Sequence, residues 1–148
     1  MTPGLEPRIE SIWIKTGRRG PMLRVPEARL VEDVGIEGNA DRGGARQVTI
    51  VDADAWERAT SELGTPVDPS ARRANVLLRG IDLAGSADRV LRLGSCRIRI
   101  RGETRPCGRM DEAADGLREK LEPEWRGGAY GVVLEGGSIT VGDPAGWE

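Results

Sequence analysis

The sequence predicts a mostly β fold, a β-barrel with about two peripheral α-helices, and three observations predict it. Twenty-one glycines punctuate the whole chain, with pairs at Gly43-Gly44, Gly127-Gly128 and Gly136-Gly137. Between them lie short runs that alternate apolar and polar residues at period two, the spacing of a half-buried strand. Only two segments carry helical spacing. Eight or so short strands with turn signals between them favour closure into a barrel or a sandwich. A chain of 148 residues falls in the range of one domain, taken here as residues 1–148.

The elements follow in order. Ile9, Ser11, Trp13 and Lys15 alternate with Glu10, Ile12, Ile14 and Thr16, so the first strand is partly apolar on both faces. Ala28 to Val34 reads as the second strand and Arg46 to Val51 as the third. Asp52 then caps a helix over Ala53–Leu63, with Ala55, Trp56, Ala59 and Leu63 on one stripe and Gly64 as terminator. Strands are expected at Asn75 to Arg79, Arg89 to Leu93 and Cys96 to Arg101. A second helix is expected from about Met110 to Leu121, where Met110, Ala113, Ala114, Leu117 and Leu121 recur at helical spacing. Asp111 and Glu112 suit its positive end, and Gly116 weakens it by about 1 kcal/mol relative to Ala. Tyr130 to Leu134 and Ser138 to Val141 close the chain. There is no internal repeat and no low-complexity linker.

Composition narrows the chemistry. Hydrophobic residues make up 38% and charged residues 31%, with a net charge of -2, a globular and not a disordered balance. That balance offers no overall basic field for a nucleic acid. Histidine is absent, which removes Ser-His, Cys-His and His-metal chemistry together. Cys, carboxylates, Arg, Tyr and backbone amides remain. Twenty of the 22 cations are Arg, the others being Lys15 and Lys120. Either GC-rich codon usage or guanidinium forks that grip an oxyanion would account for this excess. No run approaches the ~18 apolar residues of a membrane span, and Met1 to Gly4 carry no leader pattern. Two cysteines make no disulfide framework, so the cytoplasm is the expected compartment, with no membrane partner.

The two cysteines differ in setting. Cys96, Ile98 and Ile100 share one face of a strand and Arg97, Arg99 and Arg101 the other, which places Cys96 in the core. Cys107 follows Pro106, lies beyond the end of that strand, and stands at or just before the second helix, flanked by Arg105 and Arg109. Helix N-termini and nearby cations favour the thiolate, the nucleophilic and metal-binding form. Cys107 is therefore either the reactive sulfur or a small residue in a tight turn. Arg72, Arg73 and Asn75, at the entry to the strand Val76-Leu77-Leu78, could hold a phosphate or a pterin edge, or be solvated arginines beside a turn. The glycine-rich Gly35–Gln47 loop, which contains Arg46, allows close backbone approach to a ligand but has no nucleotide motif.

Taken in order, these segments resemble a MOSC domain, the module named after the C-terminal part of molybdenum cofactor sulfurase. The resemblance runs from about Ile9 to Asp143. It rests on the Gly35–Gln47 loop, Arg72-Arg73-Ala74-Asn75-Val76, Gly80-Ile81-Asp82-Leu83, Leu91-Arg92-Leu93-Gly94, Thr104-Arg105-Pro106-Cys107 and Arg126-Gly127-Gly128. It implies a barrel of the MOSC, or PK-barrel-like, kind and a molybdenum or sulfur role. Cys107 would carry sulfur as a persulfide or ligate molybdenum. Arg73 and Asn75 of the strand-entry motif, with Arg72, Arg46, Arg105 and Arg109 as further cationic candidates, would hold an anionic molybdopterin. Pyridoxal phosphate would enter only through a separate cysteine desulfurase partner, and a molybdoenzyme is the other expected partner. The alternatives are a subunit of a molybdenum-dependent reductase of N-oxygenated substrates, or a non-catalytic module for anions or partner proteins. The family loop commonly reads Gly-Asp with a nearby His. Here it is Gly38-Asn39 with no His, so no acid or imidazole acts from that loop position.

Overall fold

The computed structural model describes residues 6–148; the Met1–Gly4 stretch read for a leader lies outside them. Eleven strands and three α-helices follow one another: β1 (Arg8–Lys15), β2 (Met22–Val25), β3 (Glu27–Val31), β4 (Gly35–Ile36), β5 (Val48–Asp52), α1 (Ala53–Leu63), β6 (Val76–Arg79), β7 (Val90–Leu93), β8 (Cys96–Glu103), α2 (Gly108–Ala113), α3 (Leu117–Leu121), β9 (Ala129–Glu135), β10 (Gly137–Thr140) and β11 (Ala145–Trp147). Eight strands form one sheet in the order β11-β7-β8-β9-β5-β6-β1-β2, and β10-β3-β4 form a second. All pairings are antiparallel except β5 with β6.

The fold is mostly β, but the expected closed barrel is not what forms. β2 and β11 stand at the two ends of the large sheet without pairing, so the sheet is open. The sheet curls far enough for Ile9 to donate to Asp143 O (2.9 Å) and accept from Gly142 N (2.8 Å), and an isolated bridge joins Arg8 to Pro144. A bulge between Ile9 and Ser11 turns β1 there, and no ladder closes the seam.

Strand alternation explains two cores. Ile12, Ile50 and Leu78 face the smaller sheet and join Leu30, Ile36, Leu91, Ile98, Ile100 and Ile139. Their neighbours Trp13, Val51 and Leu77 face the helices and join Trp56, Ala59, Met110, Leu117 and Leu121. The strands β1, β5 and β6 are thus apolar on both faces because both are covered. Cys96 is fully buried in the first core, beside Ile98 and Ile100, while Arg97 and Arg99 point away.

The first helix forms as its sequence predicts. Asp52 caps it by accepting from Asp54 N (2.9 Å), and Gly64 ends it at φ 79°. The second expected helix is instead two short ones. Ala114 is extended and Gly116 is left-handed at φ 88°, which breaks the chain between α2 and α3. The apolar spacing of Met110, Leu117 and Leu121 is kept across the break because all three still reach the second core.

Candidate functional site

An open cleft of about 740 Å³ lies where the end of β1, the loop after β4, the turn before β6 and the start of α2 meet. One polar network sets its back wall. Asn75 Nδ2 donates to Trp13 O (3.2 Å) and Asn39 Oδ1 (3.0 Å), and its Oδ1 accepts from Thr49 N and Oγ1 (both 3.1 Å). Asn39 in turn accepts from Lys15 N (2.8 Å) and donates to Asp41 O (3.0 Å). Both amides are buried, and a neutral Asn at position 39 satisfies every contact there without a buried charge.

Arg72 sets the opposite wall. It ends the short 3-10 turn Pro69–Arg72, capped by Asp68, and its guanidinium turns inward. Nε donates to Gly127 O (2.7 Å) and Nη2 to Thr104 O (2.9 Å). Thr104 Oγ1 also donates to Gly127 O (2.8 Å). The Thr104–Cys107 segment is therefore tied to the Gly127-Gly128 turn. Gly128 sits at φ 107°, where a Cβ would meet Ile50 O at 2.2 Å, so only glycine fits. Burial pulls the Arg72 guanidinium below its ordinary value, the neighbouring Cys107 sulfur opposes this, and Arg46 adds to the lowering.

Cys107 is the N-cap of α2, exposed, and its sulfur makes no capping hydrogen bond. Since α2 has only six residues, its dipole is smaller than that of the expected long helix. Cys96 contrasts in every respect: it is buried, and burial pushes its thiol up.

The cleft is strongly cationic. Lys15, Arg42, Arg46, Arg72, Arg73 and Arg109 line it against the single carboxylate of Asp41, which pairs with Lys15 at 2.8 Å. Arg46 lies over the Tyr130 ring, 4.8 Å from its centroid. Arg73 adopts a left-handed backbone at φ 61°, and its Nη2 is sealed from solvent with no partner among the described residues. Such a donor costs about 1–3 kcal/mol when left unmade. Arg73 also lines the cleft, and an anion there would lie beside its guanidinium.

Of the sequence candidates, Cys107, Arg46, Arg72, Arg73 and Arg109 come together here. Asn75 lies behind the wall with its amide engaged by protein groups, and the exposed Arg105 side chain is not among the lining residues. Lys15 and Arg42 line the cleft although the sequence reading does not single them out. Lys15 ends an alternating strand and is one of two lysines in an arginine-rich chain, which is the signal that marks it.

Among the described residues, no group of three or more His, Cys, Asp and Glu is placed to hold a metal ion. A metal beside Cys107 would arrive with ligands of its own. The cationic walls fit the phosphate of an anionic cofactor. No helix of the described residues is long and apolar enough to cross a membrane.

The sequence model of the MOSC domain matches residues 37–145. No curated protein matches the chain by sequence. Among solved structures, YuaD from Bacillus subtilis is similar with a TM-score of 0.80 at 17% identity, over 94% of this chain and 93% of that one. YiiM from Escherichia coli aligns with a TM-score of 0.71 at 15% identity, over 95% and 69% of the two chains. YiiM from Geobacillus stearothermophilus gives 0.73 at 16%, over 96% and 75%. At these identities the likeness shows a shared fold.

Proposed function

The chain belongs to the MOSC domain family, and from that premise we propose that its cleft binds molybdenum cofactor by its phosphate, with Cys107 as the protein sulfur at the site. The observation that carries this reading is the charge of the cleft. Six cations face one carboxylate, and Arg42, Arg46, Arg73 and Arg109 have no acidic partner among the described residues. A phosphate monoester with between one and two negative charges near pH 7 supplies what they lack. Arg73 and Arg46 grip it, Arg46 being held in orientation by its stack on Tyr130. Arg72 fixes the backbone that presents Cys107. When bound, the cofactor supplies a redox-active metal.

The exposure of Cys107 also supports sulfur carriage. Its thiolate attacks the outer sulfur of a donor persulfide, such as that of a cysteine desulfurase. An S–S bond forms at Cys107, the donor's S–S bond breaks, and the donor cysteine leaves as a thiolate with no net oxidation.

Metal and pterin analysis of the purified protein tests the cofactor. Stoichiometric molybdenum and pterin are expected, and both are lost from Arg73→Ala; retention by that variant overturns the assignment of the cleft. Intact-mass analysis after incubation with a cysteine desulfurase and cysteine tests the sulfur step. One added sulfur is expected on the wild type and none on Cys107→Ser. A protein that accepts neither cofactor nor sulfur refutes the reading.

A further inference from the structure

Cys107 shares the cleft with two kinds of cation. Lys15 and Arg72 are engaged: Lys15 Nζ holds Asp41 at 2.8 Å, and Arg72 clamps Gly127 O at 2.7 Å and Thr104 O at 2.9 Å. Arg42, Arg46, Arg73 and Arg109 line the same cleft with no acidic partner among the described residues. Arg109 stands two residues beyond Cys107 in the first turn of α2. Arg46 is held in place by its stack on Tyr130. The sulfur is exposed at an open cleft of about 740 Å³, so a small solute reaches it without rearrangement of the fold. In water a thiolate and a dianion repel each other. Here the fixed guanidiniums around the sulfur reverse that repulsion.

We propose that Cys107 takes sulfur directly from a small dianionic sulfane donor, thiosulfate, bound by the unpaired arginines of the cleft. The inference rests on the sulfur-carriage reading and names a donor class for it other than a protein persulfide. The Cys107 thiolate attacks the outer sulfur of thiosulfate. A bond forms between Sγ and that sulfur, the donor's S–S bond breaks, and sulfite leaves with the bonding pair. The thiolate's single charge and the donor's two become the persulfide's one and sulfite's two, so no oxidant, reductant or proton is required. The sulfonate end is a tetrahedral oxyanion, which guanidinium forks grip as they grip phosphate. Negative charge builds on the departing sulfite as the bond breaks, and guanidiniums already fixed beside it favour the transition state. An uncharged donor gains nothing from the same cations. Attack of a nucleophile such as cyanide on the outer persulfide sulfur yields thiocyanate and returns the thiolate.

Intact-mass analysis of the whole chain after incubation with thiosulfate alone tests this. One added sulfur and one sulfite released per chain are expected for the wild type, and neither for Cys107→Ser. Added cyanide should then convert the bound sulfur to thiocyanate. The loading rate should fall as potassium chloride is added, because salt screens the attraction between dianion and cleft. A bare thiolate would show the opposite trend, since salt weakens the repulsion between like charges. Arg46→Ala and Arg109→Ala should each load about tenfold more slowly, the loss of one charged hydrogen bond. Both should also lower the rate of alkylation by anionic iodoacetate relative to neutral iodoacetamide, a ratio from which the thiolate fraction cancels. Arg58→Ala, exposed on α1 outside the cleft, should change neither quantity. A wild-type rate that rises with salt overturns the proposal, whatever the variants do. Loading by a cysteine desulfurase but not by thiosulfate overturns it while sulfur carriage stands. If neither donor loads Cys107, both fall together.

Discussion

Arg73 lies in the turn just before β6 and Arg79 ends that strand, and the fold treats them in opposite ways. Arg79 is surrounded by acids: it donates to Glu10 Oε1 (2.7 Å) and Asp54 Oδ1 (2.9 Å) and also pairs with Glu57. These bonds hold its guanidinium well above the ordinary range. Arg73 has no acid beside it, a left-handed backbone and an orphaned donor. The same residue type is structural at the end of β6 and unsatisfied in the turn that leads into it. A charge left open on the wall of a cleft marks a candidate site for an outside anion. Elsewhere Arg97 meets Glu148 and Arg126 meets Glu62.

Arg72 is the case that tests the boundary, because it lies in the cleft yet serves the fold. Two short bonds to backbone carbonyls, each charged, are worth about 1.5 kcal/mol or more apiece, so Arg72→Ala should lower stability by about 3 kcal/mol. Urea unfolding measures this. A change as small as that of an ordinary surface arginine would move Arg72 to the ligand-binding side of the comparison.

Arg79→Ala should come next, at about 1–2 kcal/mol, with phosphate affinity unchanged. The loss is limited because Asp54 and Glu57 are 45% and 58% exposed and re-solvate when released. A variant that is fully stable but binds phosphate poorly would reverse the assignment of Arg73 and Arg79.

How far the sequence reached follows the same division between local and distant causes. The Asp52–Gly64 helix and the burial of Cys96 were legible because a cap, a stripe and an alternation are local patterns. The break at Gly116 was visible only as weakness, since splitting a helix depends on what its halves pack against; a Cβ there would meet Leu63 Cδ1 at 3.2 Å. The two-residue β4 and the late β11 are too short to announce themselves. Openness of the sheet is a question of which ends meet, and Arg8 and Pro144 lie at the two extremes of the chain. At the site, Cys107 and the Arg72-Arg73 pair stood out as residues, but not that one arginine clamps backbone while its neighbour remains free. That choice is made by Gly127 and Thr104, both distant in sequence.

Arg73→Gly should act in the reverse direction to the first two variants. Glycine relieves a left-handed position, worth about 1–2 kcal/mol, and removes a buried donor, against about 0.5–1 kcal/mol of extra chain entropy. A net gain of about 1 kcal/mol in urea unfolding is expected, together with at least a tenfold loss of pyrophosphate affinity (~1.4 kcal/mol). A destabilised variant would mean that Arg73 belongs with Arg79 as a structural residue.

Asp52 provides the smallest effect and a check on the structural side, since it is a buried carboxylate at the foot of α1 with no ion-pair partner among the described residues. Burial pushes its carboxyl above the ordinary value, against the opposing pull of backbone N–H bonds from Ala55 and Asp54. In the unfolded chain it titrates near the usual ~3.9, so it loses its proton there before it does in the folded protein. Across the interval between the two values the folded state holds a proton that the unfolded state has released. Stability from this group is therefore complete below the unfolded value, declines as pH rises through the folded one, and stays at the lower level up to neutrality. Asn caps a helix about as well as Asp and does not ionise, so Asp52→Asn lacks that decline. Urea midpoints of wild type and variant, compared from about pH 3 to pH 7, isolate the difference from every other carboxylate they share. The variant should gain on the wild type as pH rises, by less than the gain of Arg73→Gly. If the two curves run parallel, or the variant falls behind toward neutral pH, Asp52 is ionised at no penalty, and its cap is completed by an interaction that the fold supplies in solution.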